Sequence, residues 1–335
     1  MLKRLRNHLL VFWAVIGPGF ITAMVDNDAG GIFTYSQAGA KYGYLPLWTL
    51  LPITVLLVVT QEMCSRMGAV TGKGLSDLIR EEYGLRTTFF MMAALVAANL
   101  TNVMANFAGV ASSLELFHVS RYISVPLAGA AVWLLVVKGS YSRVEKVFLG
   151  ATALYVCYII SGILVKPDWK EAAIYSVKPV LLFDPGYITM LIGMVGTSVA
   201  PWMQFYHQSS AAEKNTSLEL LNYGRLDASL GSIIANSVAF FIVITCAASL
   251  FKTGQPIHEA RDAALALKPL AGEYCFYLFA FGLLMASLLA ASVLPLSAAF
   301  TVCEGFGWES GVGKKASEAP EFYFLYTFFI VFGSA

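Results

Sequence analysis

The sequence predicts an all-α polytopic membrane protein. Three observations lead there. The 335 residues are 58% hydrophobic and only 13% charged, whereas a soluble domain carries about 25% charged residues, and mean hydropathy is +0.68. Apolar stretches of the roughly 20 residues that cross a bilayer recur along the whole chain. Two of these stretches are broken in mid-span by residues that a lipid-embedded helix disfavours.

The spans fall at roughly 12–41 (interrupted), 46–69, 86–115, 122–138, 144–165, 187–210 (interrupted), 221–250, 272–303 and 320–335. Residues 1–335 read as one transmembrane unit, and the ninth span runs to the final residue, so a longer protein with further spans is expected. The opening Met1-Leu-Lys-Arg-Leu-Arg is similar to a signal n-region, but no small-residue cleavage site follows, which makes the first span a retained one. Fourteen of the 22 Lys and Arg residues, Lys3, Arg66 and Lys73 among them, lie on the same side as the N-terminus, which predicts a cytoplasmic N-terminus in a cell-membrane protein. The segment from Thr71 to Tyr83 has helical periodicity and predicts a short amphipathic helix on the inner surface.

Composition excludes several functions. A net charge of +1 gives no nucleic-acid footprint. The five cysteines (Cys64, Cys157, Cys246, Cys275, Cys303) are single and scattered, which predicts buried thiols rather than disulfides or a metal cluster. The four histidines lie far apart, so no nucleophile–base pair of an intramembrane enzyme is visible.

The first interruption is Val25-Asp26-Asn27-Asp28-Ala29-Gly30-Gly31. One carboxylate at a helix centre costs on the order of 2.5–3.5 kcal/mol on insertion scales, and each glycine about 1 kcal/mol against alanine. Such a stretch persists where the backbone is broken and the charge has something to bind. The second interruption, in the sixth span, places Gly196 and Pro201 in mid-membrane. Broken helices five spans apart point to a transport site between two inverted repeats, here about 12–165 and an incomplete 187–335.

Gly17-Pro-Gly-Phe-Ile, Asp28-Ala-Gly-Gly, Gln37-Ala-Gly-Ala-Lys-Tyr-Gly-Tyr, Thr71-Gly-Lys-Gly-Leu, Val195-Gly-Thr-Ser-Val-Ala-Pro, Arg225-Leu-Asp and Cys303-Glu-Gly-Phe cover most of the chain. Together this series resembles the Nramp family of divalent-metal transporters. The resemblance implies a LeuT-type inverted-repeat fold with discontinuous helices 1 and 6. The departures are as informative. Where the family reads Asp-Pro-Gly-Asn, this chain keeps Asp28 and Gly30 but has Ala29 for the proline and Gly31 for the asparagine ligand. Where the family reads Met-Pro-His, Ala200 replaces the methionine ligand, Pro201 stays and Trp202 replaces the histidine. The third-span acidic pair tied to proton movement appears as Asn99 and Asn102. This pattern resembles the Nramp-related magnesium transporter branch.

The substitutions have a direct chemical meaning. Thioether sulfur favours later transition metals over Mg2+, so Ala200 removes that preference. Gly31 removes an inner-shell oxygen and is expected to widen the cavity. Mg2+ sheds water reluctantly and usually keeps several ligand waters. The expected metal site is therefore Asp28 as the charge, carbonyls near Ala29 and Thr197, open space at Gly31 and Ala200, and Gln204 toward a hydrating water. Asp26 stays open between a second metal carboxylate and a residue facing the outer vestibule. Neutral Asn99 and Asn102 remove a titratable relay, and either also reads as an interhelical hydrogen-bond partner. Asn106, one turn on, shares their face.

Other residues read as structural. His207 is expected to be a hydrogen-bonded helix residue, Asp227 to pair with Arg225, and Glu62 to pair with Arg66. Gly39 and Gly43 form a GxxxG pair that suits close helix packing. Asn215-Thr-Ser fits a glycosylation pattern but falls on the expected inner side. The expectation is a monomeric transporter of largely hydrated Mg2+, also passing Mn2+, by alternating access without proton coupling. The metal is cargo, and no cofactor is expected. The competing reading is a proton-coupled Mn2+ or Fe2+ importer.

Overall fold

The computed structural model describes residues 17–214, 221–251, 254 and 257–335. The first residues of the first span and the Asn215-Thr-Ser pattern lie outside them. The described residues form fourteen α-helices and two short 3-10 turns, and no strand.

The first span is two helices, α1 (Pro18–Val25) and α2 (Ala29–Tyr42). A 3-10 turn at Leu45–Thr49 leads into α3 (Leu50–Thr71), which ends on Gly72 in the left-handed region. α4 runs from Leu75 to Glu115, with Gly84 (φ 77°, ψ 169°) breaking it. Its first part is the amphipathic helix expected after Thr71, and the remainder is the third span. α5 is Arg121–Val137. The fifth span is α6 (Tyr141–Thr152) and α7 (Val156–Leu164), joined by a 3-10 turn at Ala153–Tyr155. α8 (Trp169–Val177) is a short connecting helix. The sixth span is α9 (Pro185–Ser198) and α10 (Pro201–Glu213). The chain continues through α11 (Leu221–Ser249), α12 (Ala260–Ala271), α13 (Glu273–Phe306) and α14 (Pro320–Gly333).

The expected spans each fall on a helix or a helix pair. Among the described residues six stretches are long and apolar enough to cross a membrane, and α5 and α14 are shorter apolar helices. The connecting helices α8 and α12 were not foreseen. Both are too short to read as spans, and both owe their starts to local capping. The Asp168 carboxylate accepts from the N–H groups of Lys170 and Glu171, while Glu259 and Asp262 form a capping box at α12.

The core is organised on α11, which packs against α1, α2, α3 and α7. Small residues permit the approach. A β-carbon at Gly39 of α2 would run into the Val243 carbonyl of α11, so the GxxxG pair does serve close packing. α10 packs against α1, α3 and α13, while α9 packs against α2. The two broken spans therefore cross half against half. All five cysteines are buried free thiols.

Two expected ion pairs come out differently. Glu62 does meet Arg66 (3.5 Å), but it lies closer to Arg225 (2.7 Å). Asp227 is thus not paired with Arg225. It is buried, and its carboxylate accepts from the N–H groups of Gly17 (3.1 Å), Gly19 (2.8 Å) and Phe20 (3.2 Å). These N–H groups are left over at the start of α1. Residues two apart on a helix point in different directions, which is why Arg225 and Asp227 do not pair.

Asp227→Ala removes the acceptor for three N–H groups and should cost about 1–3 kcal/mol. The check is a lower thermal unfolding midpoint in detergent. Asp227→Asn, which keeps an acceptor oxygen, should lose less.

Candidate metal site at the helix breaks

The first break is made without proline. Asp28 is extended (φ −76°, ψ −173°) and is the N-cap of α2, with its Oδ1 accepting from the Gly31 N–H at 2.8 Å. This side-chain cap starts α2 at Ala29 without a proline. The second break follows from proline directly. Pro201 is at the start of α10, and a residue before proline is pushed to extended backbone. Ala200 is extended accordingly (φ −74°, ψ 139°), after Val199 has left the helix (φ −127°, ψ 59°).

The breaks lie side by side. A β-carbon at Gly31 would sit 3.4 Å from Thr197 Oγ1, and the Tyr35 hydroxyl of α2 is 2.6 Å from Ser198 Oγ of α9. Asp28 is buried, and its Oδ2 accepts from Asn106 Nδ2 at 2.9 Å. The same amide donates to the Asn102 carbonyl (2.9 Å), and its oxygen accepts from the Ala29 N–H (3.1 Å). Asn106 therefore holds both the carboxylate and the first N–H of α2 onto the third span. The sequence placed Asn106 on the right face but not in contact with Asp28. The signal was present in the i, i+4 spacing of Asn102 and Asn106, and the partner required the packing.

Two expectations need correction. Ala29 is the first residue of α2, so the group left over there is its N–H, not its carbonyl. The carbonyls released at the breaks belong to the ends of α1 and α9, and Thr197 lies in the last turn of α9. Gly31 does not open space. A β-carbon there would collide with the Asp26 carbonyl, so the glycine lets that carbonyl lie against α2.

The remaining candidates are distributed as follows. Asp26 is buried beside Asp28, and its Oδ1 has no hydrogen-bond partner among the described residues. Ala200 and Gln204 are half-buried at the start of α10. Trp202 is buried, and its carbonyl accepts from Ser297 Oγ of α13 (3.0 Å). Asn99 is buried and Asn102 half-buried on α4. His207 is buried and hydrogen-bonded through Nδ1 to Gln61 Oε1, a structural pairing. A cavity of about 480 Å3 lined by Ala29, Gly30, Phe33, Gly109, Glu115 and Arg261 reaches the start of α2. Among the described residues no group of three or more His, Cys, Asp or Glu side chains is gathered to hold a metal. Any metal here would rest on few charges, with carbonyls or water completing its shell.

These features define a polytopic helical membrane protein whose polar centre lies where two spans are interrupted. The family model described as natural resistance-associated macrophage protein-like (Nramp) matches residues 19–335. The chain belongs to the Nramp family. Among curated relatives, the divalent metal cation transporter MntH of Acidiphilium cryptum is 28% identical over 302 residues, covering 87% of this chain and 69% of its own. The MntH of Deinococcus radiodurans is 28% identical over 308 residues, with the same coverage of 87% and 69%. A solved structure of a mutant Eremococcus coleocola manganese transporter matches with a TM-score of 0.74 at 18% identity, over 96% of this chain and 70% of that one. The same transporter bound to an aromatic bis-isothiourea substituted compound matches at 0.71 and 19%, over 95% and 75%. At these identities the structural likeness establishes the fold.

Gly31→Asn, which restores the family residue, should not fit here without moving the Asp26 carbonyl. The overpacking should cost about 1–3 kcal/mol, read as a lower melting midpoint than the parent. An unchanged midpoint would show that the break adapts freely.

Proposed function

We propose that this chain is a secondary transporter of divalent cations, chiefly Mg2+ and also Mn2+, carried largely hydrated by alternating access and without proton coupling. It would belong to the Nramp-related magnesium transporter branch, with a LeuT-type arrangement of repeats and a cytoplasmic N-terminus. The observation that carries the reading is the buried Asp28 carboxylate at the first helix break, with alanine and not methionine at position 200 of the second break. Asp28 supplies the charge. Asn106 orients it and leaves lone pairs on both oxygens, since an ionised carboxylate accepts at about four positions. Carbonyls at the ends of α1 and α9 add oxygen donors, and both helix C-termini point partial negative charge at the site. Gln204, at the start of α10, can hydrogen-bond a water on the ion.

An all-oxygen site with few charges suits a hard cation that keeps water. Absence of coupling is supported by Asn99, Asn102 and Trp202, none of which carries a proton that titrates near neutral pH. The relatives are named divalent metal cation transporter and manganese transporter, which favours Mn2+ and with it the second reading, a proton-driven Mn2+ or Fe2+ importer.

Proteoliposome uptake with a pH indicator inside separates the two. Millimolar Mg2+ should suppress Mn2+ uptake, and Mg2+ influx should leave the internal pH unchanged. Mn2+ uptake indifferent to Mg2+, or acidification with Mg2+ influx, would favour the second reading. Asp28→Asn should reduce uptake of either ion to background while the protein stays folded.

Ala200→Met should lower Mg2+ transport relative to Mn2+, read as a changed ratio of the two uptake rates. An unchanged ratio would count against the softness argument.

A further inference from the structure

The side of the molecule on which α1 begins carries a polar cavity of about 590 Å3, lined by Gly72, Tyr141, Glu145, Lys214 and Glu304 among others. It has room for a hydrated ion, since six waters at about 30 Å3 each fill about 180 Å3. Toward α1 the space narrows sharply. Past Tyr141 and Glu145, which line both spaces, only about 10 Å3 is left between Ile21, Phe148, Tyr206 and Leu296. That is at the lower limit for a single water. The four side chains are buried and largely apolar, and they come from α1, α6, α10 and α13 in turn. They close the way along α1 from the cavity toward Asp28.

Charged and polar side chains tie the same elements at the edge of this closure. Lys214 Nζ, at the end of α10, meets Glu145 Oε1 of α6 at 2.7 Å, and each side chain is only 15% exposed. The Tyr141 hydroxyl of α6 lies 3.2 Å from Ser210 Oγ of α10. Breaking an ion pair this shielded costs more than breaking one at the surface.

The pair also bears on the start of α1. A β-carbon at Gly17 would run into the Glu145 carboxylate, while the Gly17 N–H donates to Asp227 of α11. α6, α10 and α13 each pack on α1. A gap at Ile21 wide enough for a hydrated ion requires α6 and α10 to part, and the Glu145–Lys214 pair spans the two.

We propose that Glu145 and Lys214 are positioning residues of the transport cycle. They form a latch that keeps the closure at Ile21, Phe148, Tyr206 and Leu296 shut until the ion leaves on the side where α1 begins. The latch extends the transport reading above, on which it rests, and neither residue touches the ion.

The probe is Ile21→Cys in proteoliposomes, or Leu296→Cys where Ile21→Cys does not fold, with a membrane-impermeant maleimide applied to one side at a time. The five native thiols are buried. In the parent either probe should label slowly from both sides. Glu145→Gln and Lys214→Gln should each speed labelling about tenfold, the worth of one charge-assisted hydrogen bond, and only from the side on which α1 begins. The double variant should label about as fast as either single one, because the same interaction is lost in all three. Lys214→Arg, which keeps the pair, should label like the parent. Glu145→Gln should also raise the KM for Mg2+ offered on the opposite side, because fewer molecules face it, with the ratio of Mg2+ to Mn2+ uptake unchanged. Folded variants that label as slowly as the parent, label faster from both sides alike, or change the uptake ratio would overturn the latch. Variants that label as expected in a protein that carries no Mg2+ would overturn the transport reading alone.

Discussion

The interaction on which the rest depends is the clasp between Asp28, Gly31 and Asn106. A helix broken in mid-membrane leaves N–H and C=O groups with no water to meet them, and each unmet group costs several kcal/mol. Asp28 satisfies the Gly31 N–H and Asn106 satisfies the Ala29 N–H, while the Asn106 amide also holds the carboxylate. One asparagine on the third span thus makes the break tolerable and keeps a charge at membrane depth. The start of α1 is handled the same way, with Asp227 receiving three N–H groups. In both places a carboxylate is set against a helix N-terminus, where the backbone dipole favours negative charge.

The clasp can hold only if the half-helices are positioned around it. α11 does this by packing on α1 and α2 together, as well as on α3 and α7. Its contact with α2 is close enough that Gly39 has no room for a side chain. The pairing of Tyr35 with Ser198 then brings the second break beside the first. A polar centre results, built from residues of both broken spans and the third span.

Much of the fold was legible beforehand. Hydropathy located the spans because lipid rewards runs of about 20 apolar residues irrespective of what packs where. Pro201 located the second break because a prolyl ring constrains its predecessor locally. Asp26 and Asp28 located the first because a charge at that depth is too costly to be incidental. The helices α8 and α12 escaped notice because, at 9 and 12 residues, they are far shorter than the roughly 20-residue apolar run that marks a span.

The candidate site was legible only in part. By itself the sequence determined the class of the protein, the two breaks, the charge at the first of them and the missing thioether at Ala200. These are properties of residue type and of near neighbours along the chain. Tertiary structure alone decided that Asn106 holds Asp28, that the Asp26 carbonyl fills the space beside Gly31, and that Asp227 serves α1 rather than Arg225. Each joins elements far apart in the chain through contacts that depend on how closely two helices approach and which faces meet. Spacing within one helix states the face, but the partner across it is set by packing.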